Sequence, residues 1–174
     1  MQIRKAKMDD AAGIAKVHVD SWRTTYKGMM PQSFLDRLSY DERTALWEKN
    51  MADATNEIYV AENENGQIIG FVTGGKRAEN TEAGATDLTA IYLLEEWQGL
   101  GVGKQLLKQI MSCFQEQGFR KVYVDVLAAN KTRHFYQYYG AEYVKNVQFE
   151  MDGETIDEEL YVWNSVEAVL KKLS

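Results

Sequence analysis

The chain has 174 residues, of which 45% are hydrophobic and 26% are charged, and it carries a net charge of −6 at pH 7. These values are ordinary for a soluble folded protein, disfavour extended disorder and predict a single domain spanning residues 1–174. The negative charge has the wrong sign for non-specific nucleic-acid binding, and no stretch has the roughly 18 apolar residues of a membrane span, so we expect a cytoplasmic protein without nucleic-acid or membrane partners.

The first third of the sequence predicts one strand and three helical segments. Asp9 or Asp10 can cap the first helix through a carboxylate, and Pro31 lies in the turn that follows this helix. The predicted strand covers residues 3–6, and the helical segments cover residues 11–22, 34–38 and 41–51.

A hairpin is predicted next, because a turn sequence separates two strand-like runs. The turn is Asn63-Glu64-Asn65-Gly66, which is typical of tight connections between antiparallel strands. The two strands cover residues 57–61 and 67–73, and the polar, glycine-containing residues 79–85 predict an exposed loop.

Three alternate glycines, Gly99, Gly101 and Gly103, lie between a strand-like run at residues 88–94 and a helix-like run. Glycines let a ligand approach the main chain closely, and the first turn of a helix offers unpaired N–H groups, so this turn suits a phosphate. Its spacing fails the P-loop pattern. It also departs from the GxGxxG dinucleotide fingerprint, because Lys104 stands where the third glycine would fall.

The last third predicts one more strand, a helix, a hairpin and a terminal helix. Gly118 can end the helix that follows the glycines, so this helix and its flanking strands form a right-handed β-α-β crossover. One crossover between hairpins predicts an α+β fold with a mixed sheet. The predicted segments are a strand at 121–127, a helix at 130–139, hairpin strands at 141–151 and 155–163 around Asp152-Gly153, and a helix at 165–173.

Two ordered motifs now resemble those of the GNAT superfamily, the GCN5-related N-acetyltransferases, over nearly the whole chain. Gln98, Gly101 and Gly103 match its signature of Gln or Arg, two residues, Gly, one residue, and Gly or Ala. Residues 130–141 resemble its second segment, in which an Asn is followed by Phe-Tyr and then by Gly. The resemblance implies a mixed, mostly antiparallel β-sheet flanked by helices, with a central β-α-β unit that binds acetyl-CoA.

Acetyl-CoA is the cosubstrate that this resemblance implies. The backbone at residues 91–93 would pair with its pantetheine arm, the amides at 98–104 would hold its pyrophosphate, Asn130 would hydrogen-bond the arm, and Tyr136 would lie near its sulfur. Asn130 stands one residue closer to the Phe-Tyr pair than in many relatives. The residues assigned to cofactor binding are Ile91, Tyr92, Leu93, Gln98, Gly99, Leu100, Gly101, Val102, Gly103, Lys104, Asn130 and Tyr136.

Acetyl transfer also needs proton transfers, because an amine with a pKa of about 10.4 is almost entirely protonated at pH 7. Asp87 is similar in position to the acidic residue that some relatives use as a base, although a solvated carboxylate at a strand start explains it equally well. The departing thiolate needs a proton, which a tyrosine with a pKa of about 10 can supply. Tyr136 is our candidate for this acid, and Tyr138 and Tyr139 are its competitors.

The resemblance also implies an acceptor pocket built from the first helices and the later strands. Trp22, Tyr26 and Trp47 are the candidates, since aromatic faces attract ammonium groups, although core packing would explain each of them. The expected acceptor is a primary amine of a small molecule or peptide. Because relatives are often dimers, the resemblance also implies a homodimer.

Metal and thiol chemistry have little support in the sequence. The two histidines, His18 and His134, have no second ligand at metal spacing, so no metal is expected. The single cysteine, Cys113, falls on the apolar helix and predicts a structural thiol in a reducing compartment.

Two functions besides direct acetyl transfer stay open at this point. A non-catalytic acyl-CoA-binding or sensing domain would keep the glycine turn but would not need a proton donor, so Tyr136 argues against it. A nicotinamide-dependent oxidoreductase would share the strand, turn and helix. It is disfavoured because a strand, a helix and a hairpin follow the turn in place of repeated β-α-β units.

Overall fold

A seven-stranded β-sheet runs through the molecule, and the computed structural model describes all 174 residues. The strand order is β1-β2-β3-β4-β5-β7-β6, and only the β4–β5 pair is parallel. The predicted mixed, mostly antiparallel sheet is therefore confirmed. The strands are β1 (Gln2–Lys5), β2 (Glu57–Glu62), β3 (Ile68–Gly74), β4 (Ala85–Leu93), β5 (Lys121–Leu127), β6 (Glu142–Met151) and β7 (Glu154–Trp163).

Six α-helices cover the two faces of this sheet. Helices α1 and α3 pack together, with α1 against β3 and β4, whereas α4 packs against β2, β3 and β4 and also contacts α6. None of the helices is long and apolar enough to cross a membrane. The helices are α1 (Ala11–Thr25), α2 (Gln32–Asp36), α3 (Tyr40–Ala52), α4 (Val102–Glu116), α5 (Thr132–Tyr138) and α6 (Val166–Leu173).

Side chains of β4 alternate between these two faces, and the alternation shifts by one residue at the irregularity opposite Thr73 and Gly74. The Tyr92 ring stacks on His18 of α1 with ring centroids 6.0 Å apart, and the next residue, Leu93, approaches Gly103 of α4. We call the two sides of the sheet the α1 face and the α4 face. Both are apolar over most of the sheet, because the main hydrophobic core includes residues from α1 and from α4.

Several element boundaries differ from the sequence expectations for local reasons. Helix α5 begins at Thr132 because the Asn130 side-chain oxygen accepts a hydrogen bond from the Thr132 N–H at 3.0 Å. Asp10 precedes α1 but does not cap it through its side chain; its carboxylate instead accepts hydrogen bonds from the Lys7 N–H and from Arg4. Strand β4 begins at Ala85, at the end of the segment expected to be a loop.

The predicted Asp-Gly turn is confirmed, and the cysteine is buried, as expected for a structural thiol. Asp152 and Gly153 both have positive φ, 48° and 79°, as a tight hairpin turn requires. Cys113 is buried on α4 and is the only cysteine.

The sheet opens where its only parallel pair ends. Pairing of β4 with β5 runs from Ala85 opposite Lys121 to Leu88 opposite Val124 and then stops. Beyond that point β4 continues on β3, and β5 continues on β7. The two strands therefore separate, and the main-chain groups of β4 that face β5 have no strand partner over the last residues of β4.

Candidate active site

The gap between β4 and β5 opens into a cleft of about 600 Å³ lined by 22 residues. Residues 89–93 form one wall and residues 124–126 form the opposite wall. We call the end near the glycines, lined by Gln98, Gly99, Gly101, Gly103 and Lys104, the glycine-turn end. The end lined by Thr25, Tyr26, Met29, Tyr92 and Asp125 is called the Tyr26 end.

The glycine-turn end presents mainly main chain, together with the side chains of Gln98 and Lys104. Gly99 and Gly101 have φ values of 74° and 83°, and no atom lies near the place where either would carry a Cβ. Gly101 immediately precedes α4, whose first N–H groups and positive dipole end therefore lie at the cleft. Of the predicted cofactor residues here, Leu100 is 65% exposed and Val102 is buried in the core, so the side chains of neither line the cleft.

Gln98 ties the glycine turn to the strand before it. Its side-chain amide donates a hydrogen bond of 3.3 Å to the Leu93 carbonyl oxygen. This contact fixes the turn relative to the open edge of β4, where Ile91, Tyr92 and Leu93 all line the cleft.

The N-terminus of α5 closes the cleft beside the glycine turn. Asn130 is 6% exposed and lines the cleft, although its side-chain oxygen is already bonded to the Thr132 N–H. Its amide lies close enough to the Tyr26 hydroxyl to oppose the rise in the pKa of that tyrosine. Lys131 and Thr132 also line the cleft and were not anticipated. Their position directly after Asn130 was the only signal in the sequence.

Tyr136 lies inside the cleft and is only 5% exposed. Its ring meets Trp163 edge-on at 5.4 Å, and no protein group hydrogen-bonds its hydroxyl. Burial, together with the nearby Tyr26, raises the pKa of Tyr136, so the hydroxyl keeps its proton at neutral pH. Of its competitors, Tyr138 is 74% exposed, whereas Tyr139 also lines the cleft.

Two more tyrosines meet at the Tyr26 end. The hydroxyl oxygens of Tyr26 and Tyr92 are 2.9 Å apart and share a hydrogen bond. Burial raises the pKa of both groups. The predicted acceptor residue Tyr26 therefore faces the cleft, and Tyr92 contributes a side chain as well as main chain.

Trp22 and Trp47, the other acceptor candidates, do not line the cleft. Trp22 packs edge-on against Tyr26 at 5.2 Å, so it supports this end from behind. Trp47 is buried and its indole N–H donates a 3.0 Å hydrogen bond to Nδ1 of His18. Burial, aided by Arg43, lowers the pKa of His18 to about 4, so this histidine is neutral in the folded protein at neutral pH.

Asp87 is buried on the α1 face but does not line the cleft. Its carboxylate accepts hydrogen bonds from the Arg77 N–H at 2.9 Å and from the Asn80 side chain at 3.0 Å. Asp125 does line the cleft and was not anticipated. A charged residue inside the apolar run of β5 was the signal that could have indicated it.

The comparisons with known proteins agree with this arrangement. A family model described as "Acetyltransferase (GNAT) family" matches residues 19–141. The chain is also similar to the uncharacterized N-acetyltransferase YuaI of Bacillus subtilis, with 36% identity over 96% of this chain and 95% of that protein.

Solved structures share the fold at lower sequence identity. The ribosomal-protein-alanine N-acetyltransferase of Brucella melitensis superimposes with a TM-score of 0.76 at 20% identity, covering 94% of this chain and 99% of that one. A phosphinothricin acetyltransferase of Sinorhizobium meliloti, solved in complex with acetyl-CoA, gives a TM-score of 0.74 at 20% identity, covering 94% and 88%.

Proposed function

The chain belongs to the GNAT acetyltransferase family, and on that premise we propose that it transfers the acetyl group of acetyl-CoA to a primary amine of a small molecule or peptide. The observation that carries the proposal is the cleft where β4 and β5 separate. It has helix-terminal N–H groups at one end and the buried hydroxyl of Tyr136 within it. A substrate with a phosphate at one end and a reactive thioester at the other matches both features.

The glycine-turn end would hold the phosphates of acetyl-CoA. The N–H groups of the turn and of the first turn of α4 suit the pyrophosphate, and Lys104 and Lys131 add positive charge at the cleft. The unpaired edge of β4 at Ile91 to Leu93 would hydrogen-bond the amide-containing arm, with the Asn130 amide beside it. The acetyl-CoA complex of the structurally similar phosphinothricin acetyltransferase supports this choice of cosubstrate.

The acceptor amine must lose a proton before it attacks the acetyl carbonyl carbon. We assign this proton to Asp87, the candidate from the sequence, whose buried carboxylate lies outside the cleft lining and would be reached through water.

Tyr136 would complete the transfer as the general acid. As the nitrogen–carbon bond forms, the carbon–sulfur bond breaks and leaves a thiolate, which takes the hydroxyl proton of Tyr136. A tyrosine is protonated at neutral pH, so this proton is in place when the thiolate develops. The proton that the new amide nitrogen then loses passes through water and restores the Tyr136 hydroxyl. No bond between the acetyl group and the protein forms in this direct transfer.

The test is a screen of primary amines with acetyl-CoA, in which release of free thiol reports turnover and calorimetry reports cofactor binding. We expect thiol release that requires both an amine and the protein. Binding of acetyl-CoA without turnover across the library would contradict catalysis and support a sensing domain. Binding of NADH in place of acetyl-CoA would contradict the family-based cofactor.

A further inference from the structure

The loop between β3 and β4 reaches the Tyr26 end of the cleft through one side chain. Arg77 extends its guanidinium to Asp125 and forms a salt bridge with Oδ2 at 2.5 Å. The main-chain N–H of the same residue donates to the Asp87 carboxylate at 2.9 Å. Asn80 donates to that carboxylate as well, so the loop is anchored on two acidic residues.

The strand register places these acidic residues on the α1 face. Leu127 belongs to the same buried cluster as Tyr26, which directly follows α1, and is paired with Glu158 of β7, so Glu158 shares that face. Asp125, two residues before Leu127 on β5, faces the same way and lies diagonally across from Glu158. The side chains of Asp125 and Glu158 therefore neighbour each other beside Tyr26.

The charges at this end do not balance. Asp87, Asp125 and Glu158 contribute three carboxylates, and Arg77 contributes one guanidinium. Glu158 is half-buried and forms no salt bridge or side-chain hydrogen bond, and burial together with Asp125 raises its pKa while Arg77 opposes that effect. Lys145 of β6, paired with Leu160 on this face, is exposed and lies outside salt-bridge distance. A net negative charge is left.

The remaining features of the cleft also suit a cation. Tyr26 and Tyr92 present aromatic rings and a shared hydroxyl pair beside Asp125. Aromatic faces attract ammonium groups, and a partly desolvated carboxylate attracts them more strongly than it would in water. The nearby Tyr136 hydroxyl, 5% exposed and without a protein hydrogen-bond partner, points to the same cleft as a ligand site.

We propose that Asp125 binds a second cationic group of the acceptor, and that Arg77 is the positioning residue that holds this carboxylate against the cleft wall. The inference rests on the proposed function and narrows its substrate class to amines with an additional positive charge, such as aliphatic diamines. Arg77 occupies Oδ2 of Asp125, which leaves Oδ1 for the ligand. The reacting nitrogen is neutral when it attacks, so a persistent negative charge here serves a different nitrogen of the acceptor.

The test compares putrescine with n-butylamine, a monoamine of the same chain length, in the thiol-release assay. For the unmodified chain, we expect the KM for putrescine to be at least about ten-fold below that for n-butylamine, equivalent to one charge-assisted hydrogen bond. Asp125→Asn and Arg77→Gln should remove most of this difference and leave the KM for acetyl-CoA unchanged. Arg77→Lys should restore part of it, because a lysine supplies the charge without the planar guanidinium.

The control is Arg4→Gln, which breaks an Arg–Asp pair of similar length at the far edge of the sheet, where Arg4 and Asp10 lie 2.8 Å apart. It should leave the KM for putrescine unchanged, and thermal melting identifies any variant that fails to fold. Equal KM values for the two amines in the unmodified chain would overturn this inference and leave the proposed function standing. A putrescine KM that Asp125→Asn does not alter would do the same. Absence of turnover with every amine in the library would instead overturn the proposed function.

Discussion

The glycine-turn end of the cleft is built mainly from main chain, whereas the Tyr26 end is built from side chains of α1, β4 and β5. At the glycine-turn end the positive φ of Gly99 and Gly101 sets the direction of the N–H groups, and few side chains reach the cleft. At the Tyr26 end the hydroxyls of Tyr26 and Tyr92 bond each other and a buried cluster of aromatic rings supports them. A ligand shared by many relatives can be recognised by main chain, and a ligand particular to one protein requires side chains.

Loss of the Tyr136 hydroxyl, which lies between the two ends, should give the largest effect. Tyr136→Phe should lower kcat about 100-fold, within the usual range for a general acid, because the thiolate then leaves without its proton donor. Calorimetry should show unchanged acetyl-CoA affinity. Tyr138→Phe alters a 74% exposed tyrosine on the same helix and should leave kcat unchanged. An equal kcat for Tyr136→Phe and the unmodified chain across the pH range would remove the acid assignment.

The Tyr26 end should lose stability in acid because of His18. Its pKa of about 4 in the folded protein is below the usual 6.5, so its neutral form stabilises the fold above pH 6.5 and the contribution is lost as the pH falls toward 4. Between pH 7 and pH 5 the free energy of unfolding should drop by about 2 kcal/mol more in the unmodified chain than in His18→Gln. Urea unfolding measures this difference. His134→Gln, which alters an exposed histidine, should behave like the unmodified chain.

A charge at the glycine-turn end should weaken acetyl-CoA binding specifically. Gly101→Glu puts a carboxylate beside the proposed pyrophosphate site and should lower acetyl-CoA affinity at least about ten-fold, or roughly 1.4 kcal/mol. Gly118→Glu is the matched control, since Gly118 has a φ of 86° at the other end of α4 and the same open surroundings. Both variants carry the same backbone strain. Equal affinities would show that the turn does not hold the phosphates.

The smallest effect is expected at the hydroxyl pair of the Tyr26 end. Tyr26→Phe should raise the KM for the acceptor about three- to five-fold, the size of one neutral hydrogen bond, and leave acetyl-CoA affinity unchanged. Tyr92→Phe should do the same, and the double variant should not be additive, because each single variant already breaks the shared bond. Additive KM changes would mean that the two hydroxyls act separately.

The same contrast explains which parts of the molecule were predictable from the sequence. The glycine-turn end depends on glycine spacing and on one helix start, both of which are local in sequence, so the spacing of Gln98, Gly101 and Gly103 was enough to predict a turn that leads into a helix. Strand and helix order followed from periodicity and turn residues in the same way. The boundaries of α5 and β4 were less certain, because the hydrogen bond from the Thr132 N–H to the Asn130 side chain and the pairing of strands set them.

The residues of the Tyr26 end could not be predicted from local sequence patterns. Arg77 meets Asp125 across 48 positions of sequence, and nothing near Arg77 indicates that contact. Trp22 and Trp47 satisfied the aromatic criterion as well as Tyr26 did, and only the packing of α1 and α3 separates the cleft residue from the supporting ones. Asp87 likewise contacts the loop between β3 and β4, and the spacing of residues in the sequence does not predict where that loop runs.

Transfer of a labelled acetyl group tests the central proposal most directly. The full chain is incubated with acetyl-labelled acetyl-CoA, with and without an amine that is active in the screen, and the label is followed on amine and protein by mass spectrometry. We predict label on the amine alone, with transfer reduced about 100-fold in Tyr136→Phe, in keeping with loss of a general acid. Label that accumulates on the protein, or acetyl-CoA that binds without passing label to any amine, would contradict direct transfer in the cleft between β4 and β5.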